Sequence, residues 1–218
     1  MAIRPVFEAA VDDRFCVRKN VEFEFFSGFS DKQQRRCINS LHQAYRKENS
    51  EKKVLEISSK SENDLGIALS AFHLTVRAGN GKEYSVESLF QAGKVFEHGG
   101  PYVDLLEVSS KAAKKDERLK NSGALVGFLL NGEAFETEPK TYFYDWLYIN
   151  VLYLHDDLAA RLMEYDAFTD IAFNPQKSLN CQAKAAAIFV SLKRKGMLGE
   201  ALKSKEQFKK IVFINPAG

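Results

Sequence analysis

Residues Tyr84 to Glu97 read YSVESLFQAGKVFE, and the interpretation of the whole chain depends on this stretch. Apolar residues recur in it at intervals of three and four, which predicts a helix. Ser85 is a suitable N-cap, and Gly99-Gly100-Pro101 would end the helix. The face predicted to be buried contains Val86, Leu89, Phe90 and Gly93.

A second stripe on the same predicted helix is polar. It consists of Glu87, Gln91, Lys94 and His98, which follow each other at steps of three or four residues and so share one strip. One interpretation is a solvated face with an ordinary pair of opposite charges, and spacing alone favours it. The other is an acid, an amide and an amine gathered for chemistry.

Composition is typical of an ordinary globular protein. The chain has 218 residues, of which 45% are hydrophobic and 28% are charged, so we expect one domain spanning residues 1–218. A net charge of +2 is too small to indicate nucleic-acid binding by itself, so any basic surface must be local. The sequence shows no Rossmann glycine motif, P-loop, metal-binding histidine pair or esterase motif. Chemistry would therefore depend on carboxylates and lysine, and we expect neither a metal nor a cofactor.

Cysteine usage and hydropathy indicate where the protein works. Its three cysteines are far apart in sequence and form no C-x-x-C pair, which argues against a disulfide framework and a zinc site. The first residues lack the apolar core of a signal peptide, and no run of about 18 apolar residues occurs. We therefore expect a cytoplasmic protein that does not contact a membrane.

Periodicity also predicts the other elements. Strands are expected at 21–26, 54–57 and 66–78, with a tight turn at 79–81. Helices are expected at 32–47, at 141–165 with a break near residue 155, and at 182–192. Asn180 is the candidate N-cap of the last helix. Residues 124–130 fit a strand or a helix start, and the end of the chain from residue 193 reads as a basic helical segment and tail.

Three further segments carry candidate polar groups. Residues 58–61, SSKS, follow a strand and are either a solvated loop or a phosphate site. Residues 109–123 are rich in lysine and form either an exposed helix or a basic arm for a polyanion. Residues 167–183 set Asp170, Asn174 and Asn180 among apolar residues, a pattern that often lines a pocket.

The motif L-S-A-F at 69–72 followed by V-E-S-L-F-Q-A-G-K at 86–94 resembles the NADAR family, named for NAD and ADP-ribose. Members carry an L-S-N-F-like segment and then a V-E-x-x-(F/Y)-Q-x-x-K motif. Ala71 departs from this pattern because the family usually has asparagine there. The tryptophan-glycine element typical of the family's C-terminal part is replaced by residues 169–183, TDIAFNPQKSLNCQA.

Nearly all of the chain is similar to the NADAR subgroup that accompanies guanine-specific DNA ADP-ribosyltransferase toxins as antitoxin. The resemblance implies a mainly α-helical α+β domain with a few short strands. It also implies a glycohydrolase that removes ADP-ribose from guanine in DNA, paired in function with a toxin that it need not bind stably. Two alternatives stay open: an N-glycosidase for a small phosphorylated ribosyl metabolite, and a module that only binds ADP-ribose.

Cleavage of a ribosyl C–N bond builds positive charge on the sugar, so a carboxylate stabilises the transition state and an acid helps the base to leave. We assign these roles to Glu87 and Asp170 without deciding which does which. Lys94 would act as a cation or as an amine that forms a Schiff base, and Trp146 as a stacking wall or lid. The remaining candidates for ligand binding are Arg4, Ser58, Ser59 and Lys60 for the diphosphate, Asn174 and Asn180 for sugar hydroxyls, and Phe72, Gln91 and Tyr102.

Overall fold

The computed structural model describes residues 1–28 and 30–214. Helices take up 41% of these residues and strands 19%, so the protein is an α+β fold with more helix than strand, as expected. The strands are β1 Ala2–Ala9, β2 Cys16–Phe23, β3 Val54–Glu56, β4 Thr75–Arg77, β5 Glu83–Ser85, β6 Lys94–Phe96, β7 Leu125–Leu130, β8 Glu133–Phe135 and β9 Ala167–Thr169. The helices are α1 Asp31–Arg46, α2 Asp64–Ala68, α3 Val86–Ala92, α4 Ser110–Ala113, α5 Arg118–Asn121, α6 Tyr142–Tyr153, α7 Asp156–Leu162, α8 Gln182–Arg194, α9 Leu198–Ala201 and α10 Lys205–Lys209.

The largest sheet has four strands in the order β2-β1-β9-β3. Strand β1 is antiparallel to both of its neighbours, whereas β3 and β9 are parallel. Because the carboxyl ends of parallel neighbours lie at one edge of a sheet, the segments that follow β3 and β9 come out side by side. These are the two polar segments, 58–61 and 170–180, that lie more than 100 residues apart in sequence.

Side chains of this sheet alternate between two cores. Val6, Val54 and Ala167 pack with α1, while Phe7, Leu55 and Phe168 pack with α8 and α6 on the opposite face. This alternation follows from the two-residue period of a strand. A sheet buried on both faces leaves its strand ends as the place for a polar site.

Two smaller sheets support the motif stretch. Strands β4 and β5 form a hairpin that leads directly into α3, and β6 follows α3 into a sheet with β7 and β8. Helix α3 is therefore held between two sheets. Both of its ends are fixed by strands and not by free loops.

Several sequence predictions are confirmed. Helix α1 forms and buries one face, and α6 and α7 are separated at His155. The buried residues of α1 are Cys37, Ile38, Leu41, His42 and Tyr45. Of the two alternatives for residues 124–130, the structure has a strand at 125–130. The hairpin turn at 79–81 also forms, with Gly81 at a φ of +79°. The basic segment is divided into α4 and α5 and ends at Gly123, whose φ is +83°.

Other predictions are wrong. Residues 66–78 were expected to be a strand, but the first part belongs to α2 and its following turn, and only Thr75–Arg77 is extended. The strand expected at 21–26 ends at Phe23, because Cys16–Phe23 pairs with β1 along its whole length. Asn180 does not cap α8, since Cys181 occupies the N-cap position without a side-chain hydrogen bond. Of the predicted basic tail, residues 215–218 lie outside the described part of the chain.

Candidate active site

Helix α3 begins where its sequence predicts. Ser85 Oγ accepts a hydrogen bond from Ser88 N at 3.1 Å, which caps the helix. Every residue of α3 is buried, and Glu87 and Gln91 are only 4% and 5% exposed. The interpretation of the polar stripe as a solvated face is therefore wrong. An acid and an amide are enclosed here, and burial obliges both to find partners.

The helix is shorter than predicted. It ends at Ala92, and Lys94 is already the first residue of β6, which pairs with β7. Gly93 allows the chain to pack closely on β7 at this point, since a Cβ there would stand 3.0 Å from the Leu129 carbonyl oxygen. Lys94 still reaches Gln91 after this turn, whereas His98 lies exposed beyond β6. The polar strip thus keeps three of its four predicted members.

These three side chains form a hydrogen-bonded series. Gln91 Nε2 donates to Glu87 Oε1 at 2.8 Å, and Lys94 Nζ donates to Gln91 Oε1 at 2.7 Å. The amide of Gln91 therefore separates the acid from the amine while it orients both. Gln91 thus bridges Glu87 and Lys94, and both of these groups line the pocket.

The Lys94 amine is set for deprotonation near neutral pH. Burial lowers the pKa of Lys94 to about 8; the Glu87 carboxylate opposes this shift and the Lys114 ammonium adds to it. The ammonium also lies over the Phe90 ring, 4.7 Å from its centroid. At pH 7 a pKa of about 8 leaves about a tenth of this amine neutral.

Lys114 comes into the site from α4, within the basic segment 109–123. Its Nζ lies 3.3 Å from Glu87 Oε1 and 5.1 Å from the centroid of the Phe72 ring. The predicted basic arm is therefore divided between two environments. Lys114 faces the buried acid, while Arg118 forms ion pairs with Asp104 and Asp116.

Asp170 reaches the same site from the opposite side, directly after β9. Its Oδ2 accepts a hydrogen bond from Gln182 Nε2 at 3.1 Å, and Oδ1 accepts one from Ala172 N at 3.1 Å. Burial raises the pKa of the Asp170 carboxyl, and the nearby Glu56 carboxylate raises it further. A carboxyl of this kind exchanges its proton closer to neutral pH than a solvated aspartate does.

Glu56 lies behind Asp170 at the end of β3 and is only 2% exposed. It accepts hydrogen bonds from Thr169 Oγ1 at 2.6 Å and from Ile171 N at 2.9 Å, which clamps the backbone on both sides of Asp170. Thr169 Oγ1 also forms a hydrogen bond with His42 Nε2 at 2.8 Å. Burial lowers the pKa of His42 to about 3, so this imidazole is neutral.

Gln182, at the start of α8, joins the two halves of the site. Besides its bond to Asp170, its Nε2 donates to the Ile57 carbonyl at 2.7 Å and its Oε1 accepts from Ala71 N at 2.6 Å. The Ala71 carbonyl accepts from Glu87 N at 2.8 Å. A continuous set of hydrogen bonds thus runs from the Glu87 backbone to the Asp170 carboxyl. Ala71, where the family usually has asparagine, contributes to it through its backbone.

One pocket of about 880 Å³ collects these groups. All three residues proposed for chemistry line it. So do seven of the ten residues predicted to bind ligand, namely Ser58, Ser59, Lys60, Phe72, Gln91, Asn174 and Asn180. The volume is within the range of nucleotide and cofactor sites.

Three predicted ligand residues do not line this pocket. Trp146 packs on Phe135 with ring centroids 4.9 Å apart. It lies two residues after the pocket-lining Tyr144, which is a rotation of about 200° around the axis of α6, so its side chain is on the opposite side of the helix. Tyr102 bonds to Ser122 and stacks under Arg118, behind the pocket wall. Arg4 lines a separate cavity of about 440 Å³ beside residues 174–176.

Sequence reasoning missed several contributors. Lys114 is one of several lysines in segment 109–123, and Tyr144 is one of several aromatic residues in the predicted helix 141–165, so the sequence does not single out either. No local pattern marked Glu56 or Gln182 as site residues. The remaining lining residues not predicted are Gln34, Phe90, Leu119, Lys120, Ala172, Phe173, Lys177, Ser178 and Leu179.

The fold and the pocket define a class: an α+β protein with two carboxylates and a buried amine around one cavity large enough for a dinucleotide-like ligand. Residues 2–217 match the family model of the DarT1-associated NADAR antitoxin. The chain therefore belongs to this family. No curated protein matches it.

Two absences apply to residues 1–28 and 30–214. None of the helices there has the length and apolar character needed to cross a bilayer. Nor do those residues contain a group of three or more His, Cys, Asp or Glu side chains placed to hold a metal ion.

Proposed function

We propose that this protein is an ADP-ribosyl glycohydrolase that removes ADP-ribose from guanine in DNA. It would act as the antitoxin to a DNA ADP-ribosyltransferase by hydrolysing the N-glycosidic bond that the toxin makes. Family membership supports the antitoxin role. The observation that carries the proposed chemistry is the convergence of Glu87, Lys94 and Asp170 on one pocket.

Two acids in different environments suit this reaction. Glu87 accepts a hydrogen bond from Gln91 and pairs with Lys114, and these contacts would orient its carboxylate toward the charge that develops on the ribose. Asp170 has a raised pKa and can exchange a proton with the leaving guanine or with the attacking water. Either acid would be able to take either role, since both line the same pocket.

Lys94 adds a covalent route. Its neutral amine would attack the anomeric carbon, guanine would leave with a proton, and the sugar ring would open to give an imine that water hydrolyses. The lowered pKa of Lys94 supports this role, because only the neutral amine is a nucleophile. Without the covalent step, the same group would serve as a cation for the diphosphate.

The rest of the pocket suits a ligand with two phosphates. Lysine side chains line it on several sides, and Ser58 and Ser59 offer hydroxyls beside Lys60. Lys60 is paired with Asp31 at 2.6 Å, so a phosphate would compete for an ammonium already held in place. Asn174 and Asn180 lie on the facing loop, where their amides can bind sugar hydroxyls.

The test is a DNA oligonucleotide that carries ADP-ribose on guanine, incubated with the wild-type protein and analysed for free ADP-ribose and restored guanine. We expect release of both products. Glu87→Gln keeps the shape of the side chain and removes its charge, so we expect release to fall by at least about 100-fold with the fold unchanged. The exposed Glu164→Gln, which lies outside the pocket, is the matched control.

The alternatives give different results in the same assay. Release from a small phosphorylated riboside but not from DNA would identify a metabolite N-glycosidase. Binding of ADP-ribose without any release would identify a reader module. Wild-type rates in Glu87→Gln would remove this acid from the mechanism.

A further inference from the structure

Tyr144 lies on α6 and lines the same pocket as Glu87 and Asp170. The side chain is 5% exposed and lines the cavity. Its ring meets Phe90 edge-on with centroids 5.1 Å apart and stacks on Tyr148 at 6.4 Å. Packing on both sides leaves the ring little freedom, so the position of its hydroxyl is set by the core.

The hydroxyl of Tyr144 differs from those of the other enclosed tyrosines. Tyr45 donates to Glu8, Tyr142 to the Lys205 carbonyl and Tyr148 to the Leu69 carbonyl, each at 2.7 Å. Tyr144 has no hydrogen-bond partner for its hydroxyl anywhere in residues 1–28 and 30–214. The hydroxyl is not sealed in the core and opens to the pocket, where a group that enters can form a hydrogen bond with it.

The surroundings of this hydroxyl define what that group is. Burial raises the pKa of Tyr144 well above its usual value, and the charges of Glu87 and Asp170 raise it further, so the phenol keeps its proton and lies near both acids. The negative charge of these two acids disfavours a phosphate beside this hydroxyl. A sugar hydroxyl suits the position, because it can accept from a phenol and donate to a carboxylate at the same time.

We propose that Tyr144 is a substrate-binding residue whose hydroxyl donates a hydrogen bond to a hydroxyl of the ribose that is to be cleaved. This assignment rests on the proposed function for the identity of the ligand. It also gives the pocket a means to distinguish the ribose of ADP-ribose from the deoxyribose of DNA. The guanine carries both sugars, and only one of its two glycosidic bonds is to be broken.

Tyr144→Phe tests the proposal because it removes the hydroxyl and keeps the ring. We expect ADP-ribose to bind about five- to tenfold more weakly, the effect of one hydrogen bond, and release from DNA to slow by at least as much. Thermal stability should be unchanged, since no protein hydrogen bond is lost. Tyr148→Phe, one turn further along α6, is the control: it should lower the melting temperature and leave ADP-ribose affinity unchanged.

A ligand lacking one hydroxyl completes the test. Two analogues are used, ADP-ribose without the 2-hydroxyl and ADP-ribose without the 3-hydroxyl of its terminal ribose. The analogue that lacks the hydroxyl contacted by Tyr144 should bind wild type and Tyr144→Phe with equal affinity. A Tyr144→Phe variant that binds ADP-ribose and releases it from DNA like wild type would overturn the proposal while the glycohydrolase function stands. If wild type releases no ADP-ribose, the proposed function fails, but the affinity for ADP-ribose still tests the role of the Tyr144 hydroxyl. Weaker binding by Tyr144→Phe than by wild type supports that role. Equal binding by the two proteins, or no binding by wild type, overturns it.

Discussion

Lys94 is the residue on which the choice between covalent and electrostatic catalysis depends. We expect Lys94→Arg to reduce release at least about 100-fold, because a guanidinium keeps the charge but does not lose its proton at any pH tolerated by the protein. Borohydride added during turnover should reduce the imine and leave one sugar adduct on wild type, seen by intact mass spectrometry. The exposed Lys193→Arg should behave like wild type in both measurements. An active arginine variant together with no adduct would assign Lys94 to charge stabilisation.

Glu56 should control the titration of Asp170, although it does not line the pocket. With Asp170 acting as the base, release is expected to have an acidic limb set by Asp170. Lys94 as a neutral nucleophile would add a further rise as pH passes about 8, whereas Lys94 as a cation would give an alkaline limb there. Because the Glu56 carboxylate raises the pKa of Asp170, Glu56→Gln lowers that pKa and moves the acidic limb to lower pH. The measurement is the pH profile of kcat/KM for both proteins, with Glu164→Gln as control. An acidic limb that stays in place would show that Glu56 only holds the backbone.

Helix α2 is the element that fixes the end of β3, and its contact depends on Gly66. A Cβ at this position would overlap the carbonyl oxygen of Glu56 and the hydroxyl of Ser61. Gly66→Ala should therefore push α2 away from β3 and lower the free energy of unfolding by about 1–3 kcal/mol, measured by urea denaturation. Gly199→Ala in α9 is the matched control, since nothing lies within 4 Å of its Cβ and alanine favours a helix. Equal stability of the two variants would contradict the close packing of α2.

At the scale of the whole molecule, DNA binding should come from one local surface because the net charge is only +2. Lys111 and Lys115 are exposed on the segment that carries Lys114 into the pocket. Lys111→Glu with Lys115→Glu should raise KM for the DNA substrate and reduce the slope of log KM against log salt by about 1.5 to 2, with kcat unchanged. Lys140→Glu with Lys193→Glu changes the net charge equally outside the pocket and should leave the slope as in wild type. A common response of both double variants would mean that only net charge matters.

Features of this protein that depend on residues close together in sequence could be predicted, and features that depend on residues far apart in sequence could not. Helix α1, the break between α6 and α7, the Ser85 cap and the Glu87–Gln91–Lys94 series could all be predicted, since they depend on residues within a few positions of each other. The early end of α3 could not. It follows from the pairing of β6 with β7, which lies more than 30 residues further along the chain.

The meeting of Glu87 with Asp170 was inferred from a family resemblance and had no basis in spacing. Its physical cause is the parallel pairing of β3 with β9 and the bridge made by Gln182, both of which join segments about 110 residues apart. Burial, and with it the shifted pKa values of Lys94 and Asp170, likewise arises only when α4, α6 and α8 close around the pocket. Side-chain identity and short-range order were thus readable in the chain, whereas the pocket and its proton affinities exist only once distant segments pack together.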